Sequence, residues 1–148
     1  MTPTHLTSAL VAVALLSCAA SPAIHPFKSD GCTLFPDGTP GERRRWCDCC
    51  FVHDLAYWRG GTEAERLQAD EALRACVLKR TGDAWLAATL YEGVRLGGSA
   101  AFPVWYRWGY GWSYGRGYQP LTARERARSE ERLREYLRAN PGGYCARK

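Results

Sequence analysis

The sequence predicts a small, mainly α-helical domain that is held together by disulfide bonds. The chain has 148 residues, which is the length of one domain. Its periodic segments begin with helix-capping residues, and neither internal repeats nor strong strand patterns accompany them. Seven cysteines are present. One is Cys18, and the other six are Cys32, Cys47, Cys49, Cys50, Cys76 and Cys145. An even number of cysteines in an exported chain predicts three disulfides.

Export is predicted from the N-terminus. Residues 9–16 form the apolar run "ALVAVALL", which is too short for a bilayer because spanning takes about 20 residues. The run is typical of a secretory signal. We expect residues 1–23 to be this signal, with cleavage after Ala19 or Ala23, and residues 24–148 to form a secreted or periplasmic domain. Alternatively, "LLSC" resembles a bacterial lipobox, which would anchor the protein to lipid through Cys18.

The charge pattern indicates little about partners. The net charge is +5, and 17 of the 20 basic residues are arginine. A basic exported protein can meet anionic lipid, but a mild excess of charge is more often only a soluble surface. We expect no nucleic-acid partner for an exported chain, and we expect a monomer.

Four helices are predicted. Residues 24–45 form a loop around "PDGTPGE". The first helix covers 46–59 and ends at Gly60-Gly61. Thr62 and Glu65 form a T-x-x-E capping box for a second helix that runs to about Arg80.

Two more helices follow in the C-terminal half of the chain. Asp83 can cap a third helix that ends near Leu96. A charged fourth helix covers about 122–138 and stops at "NPGG". Its alternating Arg and Glu residues predict a solvated face.

The segment "FPVWYRWGYGWSYGRGY" (102–118) is rich in aromatic residues and has no helical period. Two interpretations stay open. Tryptophan and tyrosine favour membrane interfaces, with nearby arginine favouring anionic head groups. The same rings can instead pack as a loop that covers a small core.

The helix over 46–59 has two faces. Cys50, His53, Asp54 and Tyr57 share one of them, at i, i+3, i+4 and i+7. Phe51, Leu55 and Trp58 form a second, apolar face. Both faces are therefore expected to be covered, and a covered imidazole or carboxylate needs polar partners. The simpler interpretation of His53 is a core histidine that only makes a local hydrogen bond.

The second helix offers a partner for His53. Asp70 lies on the apolar stripe that Leu73 and Val77 mark. If the first two helices pack antiparallel through Gly60-Gly61, Asp70 can reach the His53 ring and make it a better general base. Alternatively, Asp70 pairs with Arg66 or Arg74, which lie one turn away on the same helix.

The cysteines constrain how the helices pack. Cys49 and Cys50 point about 100° apart on a helix, so each needs a partner on a different side. Six cysteines allow fifteen connectivities, which helix geometry alone does not resolve.

These residues together resemble the secreted phospholipase A2 superfamily. "CCFVHDLAY" matches its C-C-x-x-H-D-x-x-Y signature, and "SDGCTLFPDG" is similar to the calcium loop that precedes that helix in bacterial members. The D-x5-C spacing from Asp70 to Cys76 also fits. The resemblance covers about Ser29–Cys76, a third of the chain. The loop with several glycines found in vertebrate members is absent.

The resemblance implies a phospholipase A2-like fold with two antiparallel core helices and a calcium loop. It also implies hydrolysis of the sn-2 ester of glycerophospholipids at a membrane surface or micelle. In this interpretation His53 is the general base, Asp70 orients it and Tyr57 supports the pair. Asp54, the Asp30 side chain and the Gly31 carbonyl are implied as Ca²⁺ ligands. Such oxygen donors suit calcium.

The resemblance also favours one disulfide connectivity. Bonds Cys32–Cys50 and Cys49–Cys76 agree with family pairings, and elimination then leaves Cys47 with Cys145. Two other functions stay open. One is a catalytically silent member that binds lipid or a protein. The other is a zinc module that uses Cys47, Cys49, Cys50 and His53.

Overall fold

The computed structural model describes residues 23–146, which are mainly helical. Its α-helices are α1 (Cys47–Arg59), α2 (Glu63–Thr81), α3 (Ala84–Gly97) and α4 (Ala123–Ala139), followed by a 3-10 turn at Tyr144–Ala146. Apart from Ala23, the predicted signal and the lipidation candidate Cys18 lie outside the described residues. Between residues 23 and 146, no helix has the length and apolar character needed to cross a membrane.

Side-chain caps open α2, α3 and α4, and those at Thr62 and Asp83 are the predicted ones, whereas α1 has none. Thr62 and Glu65 form both hydrogen bonds of the capping box that opens α2. The Asp83 side chain accepts the Leu86 amide and caps α3. Thr122 and Glu125 form a second capping box at α4. These local bonds satisfy amides that have no partner within the first turn, which is why the predicted boundaries agree with the observed ones to within a residue or two.

Helices α1 and α2 run antiparallel. Cys49 bonds to Cys76, and farther along α1 His53 meets Asp70. The partners on α2 therefore move toward its N-terminus as α1 proceeds. Helix α3 packs on α2, and the three helices enclose one apolar cluster. Its buried members are Cys32, Trp46, Cys49, Cys50, Leu73, Val77, Ala87 and Leu90.

The disulfides are the three expected ones. Cys32–Cys50 joins the loop to α1, Cys49–Cys76 joins α1 to α2, and Cys47–Cys145 joins α1 to the C-terminus. Since Cys47, Cys49 and Cys50 are all oxidised, none of them is a thiolate that can bind zinc. The zinc interpretation is therefore wrong.

The aromatic segment closes the C-terminal end of α1. The last four carbonyls of an α-helix lack intrahelical donors. In α1, Gly60 donates to the Ala56 carbonyl, while Gly109 and Gly111 donate their amides to the carbonyls of Tyr57 and Trp58. The Trp112 indole donates to the Arg59 carbonyl at 2.7 Å. The segment therefore supplies three of the four donors that the helix end needs.

The same segment has a buried side and an exposed side. Trp108 and Trp112 are buried, whereas Trp105 and Tyr114 are 62% and 60% exposed. Packing as a loop over a core is thus confirmed for the inner rings. The outer rings leave an aromatic surface in water.

Helix α4 is more than a solvated face, so that prediction is wrong in part. Leu133 and Tyr136 pack against a second cluster built on Ile24, Phe27, Trp58 and Trp112. Glu125 and Ser129 are buried. Arg116 of the aromatic segment forms two hydrogen bonds with the Glu125 carboxylate, at 2.7 and 3.0 Å. The alternation of charges predicted a solvated face, because the sequence alone does not show which turns of a helix contact a neighbouring segment.

Replacing Gly111 with Ala should destabilise the docking of the aromatic segment. A Cβ at this position would lie 2.5 Å from the Trp58 carbonyl oxygen, which is backbone and cannot move aside. Overpacking of this kind costs about 1–3 kcal/mol, to be measured as the free energy of unfolding in urea.

Gly41→Ala is the matched control, because a Cβ there meets no atom within 4 Å. The control should change stability by less than about 0.5 kcal/mol. Equal effects of the two substitutions would show that the contact with Trp58 is unimportant.

Candidate functional site

A buried His–Asp pair lies between α1 and α2. His53 Nε2 is 2.8 Å from Asp70 Oδ1, and both side chains are buried. Because an ionised carboxylate only accepts hydrogen bonds, Nε2 carries the proton. The other ring nitrogen, Nδ1, is then left with a lone pair that can accept a proton.

Asp70 receives further donors from α1 and α3. Tyr57 donates its hydroxyl to Oδ1 at 2.8 Å, and Arg95 donates to Oδ2 at 2.7 Å. Burial alone raises the pKa of Asp70, but the hydrogen bonds from His53, Arg95 and Tyr57 outweigh it and hold that pKa below its usual range. Asp70 is therefore a carboxylate at neutral pH, and the pairing of Asp70 with His53 expected from sequence is present.

Arg66 and Tyr57 form a second layer around the pair. The His53 and Tyr57 rings lie 4.2 Å apart between centroids. Arg66 Nε donates to the Tyr57 oxygen at 3.1 Å and lies 3.7 Å from Asp70 Oδ2. Burial and the neighbouring Asp70 charge raise the pKa of Tyr57 above its usual value, so its hydroxyl stays a donor. The sequence alternative of an Arg66–Asp70 interaction is thus present beside the His53 pair.

Arg66 also fixes the end of α3. Its guanidinium donates to the carbonyls of Val94 and Arg95 at 2.9 and 2.7 Å, and to the Tyr118 hydroxyl at 2.9 Å. A cation at a helix C-terminus is favourable because the helix dipole is negative there. Arg66 therefore anchors the turn of α3 that carries Arg95, the α3 residue that pairs with Asp70.

His53 lies on the wall of a largely apolar cavity of about 260 Å³. Asp54 and Gly31 line the same cavity. Helix α3 contributes Thr89, Leu90, Gly93, Val94 and Gly97. Thr89, Gly93 and Gly97 are one turn apart, so a strip of small side chains leaves this space open.

Asp54 has the opposite environment to Asp70. Its Oδ2 accepts the Ser29 hydroxyl at 2.6 Å, and none of the ion pairs within residues 23–146 includes it. Burial raises the pKa of Asp54 to about 8, against the lowering effect of the Ser29 hydrogen bond. The negative charges of Asp30 and Asp37 raise it further.

The preceding loop brings Asp30, Gly31 and Asp37 near Asp54. Gly31 has φ +81°, and a Cβ there would collide with the Asp37 carboxylate, so glycine is required. Asp37 in turn accepts the Cys32 amide at 2.8 Å. The Asp30 side chain is exposed and accepts the Thr33 hydroxyl at 2.8 Å.

The donors around Asp54 are chemically suited to calcium. The side chains of Asp30, Asp37 and Asp54 carry carboxyl oxygens, which are among the hard ligands that Ca²⁺ prefers. Asp54 is a partly buried carboxyl group with acidic neighbours, so a bound cation would stabilise its ionised form. Within the described part of the chain, no three His, Cys, Asp or Glu side chains form a metal-binding group. A calcium site that uses backbone carbonyls and water does not require one.

A second, larger cavity adjoins the first. It has a volume of about 1040 Å³ and shares Thr33, Asp54 and Tyr106 with the smaller cavity. We call it the aromatic groove, after the four rings in its lining, Trp105, Tyr106, Tyr110 and Tyr114. Lys28, Asp30 and Arg107 also line it.

Comparison with known proteins gives no relative. No protein-family model, no curated protein and no solved structure matches the chain.

The structure brings together most of the predicted site residues. His53, Tyr57 and Asp70 form one hydrogen-bonded group, and Asp54 and Gly31 share their cavity. Sequence reasoning missed Arg95 and Ser29. A residue pattern could not identify Arg95, because its approach to Asp70 depends on how α3 lies against α2. Ser29, in the loop before α1, carried only a weak signal.

Replacing Asp70 with Asn should destabilise the fold by about 3 kcal/mol at pH 7. Removing one partner of a buried ion pair costs about 3–5 kcal/mol, and partial exposure of Arg95 favours the lower end. The folded-state pKa of Asp70 lies below the unfolded value of about 3.9. The ionised Asp70 therefore stabilises the fold fully above about pH 4. That stabilisation is lost as the pH falls through the folded-state pKa.

Urea unfolding at pH 7 and near pH 2 tests this expectation. The difference in free energy of unfolding between wild type and Asp70→Asn should be smaller at pH 2 than at pH 7. Asp48→Asn is the control, since Asp48 forms an exposed pair with Arg80 and should cost less than about 1 kcal/mol. A difference that stays constant with pH would contradict a lowered pKa at Asp70.

Proposed function

We propose that this protein is a calcium-dependent phospholipase that hydrolyses the sn-2 ester of glycerophospholipids. The observation that carries the proposal is the buried His53–Asp70 pair on the wall of an apolar cavity that Asp54 also lines. This is the arrangement that resemblance to the secreted phospholipase A2 superfamily implies. The disulfides that join the loop, α1 and α2 agree with the same resemblance.

His53 is the proposed general base. With Nε2 bound to Asp70, Nδ1 is available to take a proton from a water molecule as the water oxygen attacks the ester carbonyl. The Asp70 carboxylate stabilises the imidazolium that forms and keeps the ring in one orientation. Tyr57 and Arg95 keep the carboxylate ionised and positioned.

The second half of the reaction returns the proton. The tetrahedral intermediate collapses by breaking the bond between the carbonyl carbon and the glycerol oxygen. That oxygen takes the proton from His53 Nδ1 as it leaves, so the products are a fatty acid and a lysophospholipid. No covalent acyl-enzyme is needed, and all six cysteines among residues 23–146 are oxidised.

Asp54, with Asp30 and the Gly31 carbonyl, is the proposed calcium site. When bound there, Ca²⁺ would supply positive charge for the substrate phosphate and for the developing oxyanion. Ser29 positions the Asp54 carboxylate through its 2.6 Å hydrogen bond. The pKa of about 8 at Asp54 means that ion binding must displace a proton below that pH.

The cavities and the surface support a lipid substrate. The smaller cavity has apolar walls of the kind that bury an acyl chain. Leu34, in its lining, is 86% exposed, and Trp105 of the aromatic groove is also largely exposed. Exposed apolar side chains near a site favour action at a membrane surface or micelle. The disulfides favour action outside the reducing cytosol, as a secreted or periplasmic protein.

Replacing His53 with Gln should reduce hydrolysis by about 10²–10⁴-fold, which is the usual contribution of a general base. The assay measures fatty acid released from mixed phospholipid vesicles, with and without calcium. Calcium affinity should be nearly unchanged, because His53 is not one of the proposed ligands. A variant that kept normal turnover would contradict the mechanism.

The same assay tests the alternative of a silent protein. Wild-type protein that binds vesicles and calcium but releases no fatty acid would be a lipid-binding member without activity. Hydrolysis that requires calcium favours the enzyme.

Calcium binding should release protons and should depend on Asp54. Since the pKa of Asp54 is about 8 without metal, the ion must displace up to one proton below that pH. Affinity should therefore rise as pH increases from 6 to 8 and then level off. Calorimetry in two buffers of different ionisation enthalpy counts the protons.

Asp54→Asn should remove both calcium binding and proton release, with the disulfides intact. Asp30→Asn should weaken binding less, since the Asp30 side chain is exposed and bonded to Thr33. Absence of calcium binding by the wild type, or equal binding by Asp54→Asn, would end the calcium hypothesis.

A further inference from the structure

The aromatic groove is lined by rings that are already held in place. The Tyr110 hydroxyl donates to the Lys28 carbonyl at 2.7 Å and to the Asp54 carbonyl at 3.2 Å. The Tyr114 hydroxyl donates to the Ala101 carbonyl at 2.8 Å. Trp105 and Tyr106 pack edge to face at 5.2 Å. Groups fixed in this way lose little freedom when a ligand binds.

Much of this aromatic surface is left in water. Trp105 and Tyr114 are more than half exposed although each has packed neighbours. The Tyr114 ring already has a cation against one face, because the Arg107 guanidinium lies 5.6 Å from the ring centre. The rings of Trp105 and Tyr106 therefore remain as the places where a second cation can lie against a π-face.

The charges in the groove are mixed. Asp30 contributes an exposed carboxylate, and Lys28 and Arg107 contribute positive charge. An anionic ligand would meet Asp30, and a simple cation would meet Lys28 and Arg107. A zwitterion that carries a phosphate and an ammonium group can satisfy both signs.

A quaternary ammonium group suits these walls better than a primary one. It has no N–H donor, so it cannot replace the hydrogen bonds that a primary ammonium makes with water. It is attracted instead to aromatic faces and to carboxylates, which is how choline-type ligands are commonly recognised. The groove supplies both kinds of partner, in its aromatic rings and in the exposed carboxylate of Asp30.

We propose that the aromatic groove binds a quaternary ammonium group next to a phosphate, and so selects phospholipids that carry a choline head group. The lipid part of this inference rests on the proposed function. Thr33, Asp54 and Tyr106 line both cavities. A phospholipid whose ester lies at His53 would therefore place its head group in the groove.

The first experiment measures binding of soluble phosphocholine to the purified chain by NMR titration. Its comparison ligand is 3,3-dimethylbutyl phosphate, in which a carbon atom replaces the charged nitrogen. Phosphocholine should bind about five- to thirtyfold more tightly, the ratio for a cation–π attraction of about 1–2 kcal/mol. Inorganic phosphate should bind more weakly than phosphocholine. Equal affinity for phosphocholine and its uncharged isostere would overturn the proposal.

Trp105→Ala should weaken phosphocholine binding by about tenfold or less. Trp85→Ala is the matched control, because Trp85 is 77% exposed on α3 and lines neither cavity. Both tryptophans are largely exposed, so both variants should fold, which circular dichroism checks. Equal losses in the two variants would mean non-specific apolar contact and would also overturn the proposal.

The second experiment compares hydrolysis of phosphatidylcholine and phosphatidylglycerol in mixed micelles. The ratio of kcat/KM for phosphatidylcholine to that for phosphatidylglycerol should fall in Trp105→Ala by the same factor as the phosphocholine affinity, and it should stay constant in Trp85→Ala. Selective phosphocholine binding without any hydrolysis would support the groove and remove the proposed function. Hydrolysis of both lipids at equal rates, with no phosphocholine binding, would remove the groove and leave the proposed function in place.

Discussion

The carboxylate of Asp70 joins three helices at one buried point. It lies on α2, accepts hydrogen bonds from His53 and Tyr57 on α1, and is paired with Arg95 on α3. A buried ion without partners is costly, so the helices must approach in the arrangement that supplies these donors. Apolar residues of similar volume would often stabilise such a core as well or better. In the proposed mechanism the network also holds the His53 ring in one orientation, a role that stability alone would not require.

The two central carboxylates of the site have opposite environments. Hydrogen bonds from His53, Arg95 and Tyr57 overcome the effect of burial on Asp70 and keep it ionised. Asp54, one turn from Cys50 on α1, is partly buried without an ion-pair partner in the described chain, and its pKa is raised to about 8. Pairs of groups whose environments move their pKa values apart are typical of active sites. Here one carboxylate is suited to supporting a base, and the other to receiving a cation.

The aromatic segment links the end of α1 to both cavities. Amides of Gly109 and Gly111 and the indole of Trp112 satisfy the last carbonyls of α1. This fixes the inner rings in the core and places the outer ring of Trp105 along the groove. Tyr106 lies where the two cavities meet. The segment is thus both a helix cap and a wall of the site, which accounts for its content of glycine and aromatic residues.

Local patterns in the sequence determined the helices and indicated much of the His53–Asp70 pair. Capping boxes at Thr62 and the cap at Asp83 depend on residues three positions apart, so their patterns predicted the helix starts. Helical spacing placed His53 and Tyr57 on one face, and Asp70 on a stripe that could meet them. The sequence left fifteen disulfide connectivities open on geometry alone, and resemblance was needed to favour one. Only the tertiary structure decided the role of Arg95, the loop contacts of Ser29 and Asp37, and the burial of one side of α4. It also decided which aromatic rings are covered. These features depend on contacts between residues far apart in the chain, where helix and turn periodicities carry no information about distance.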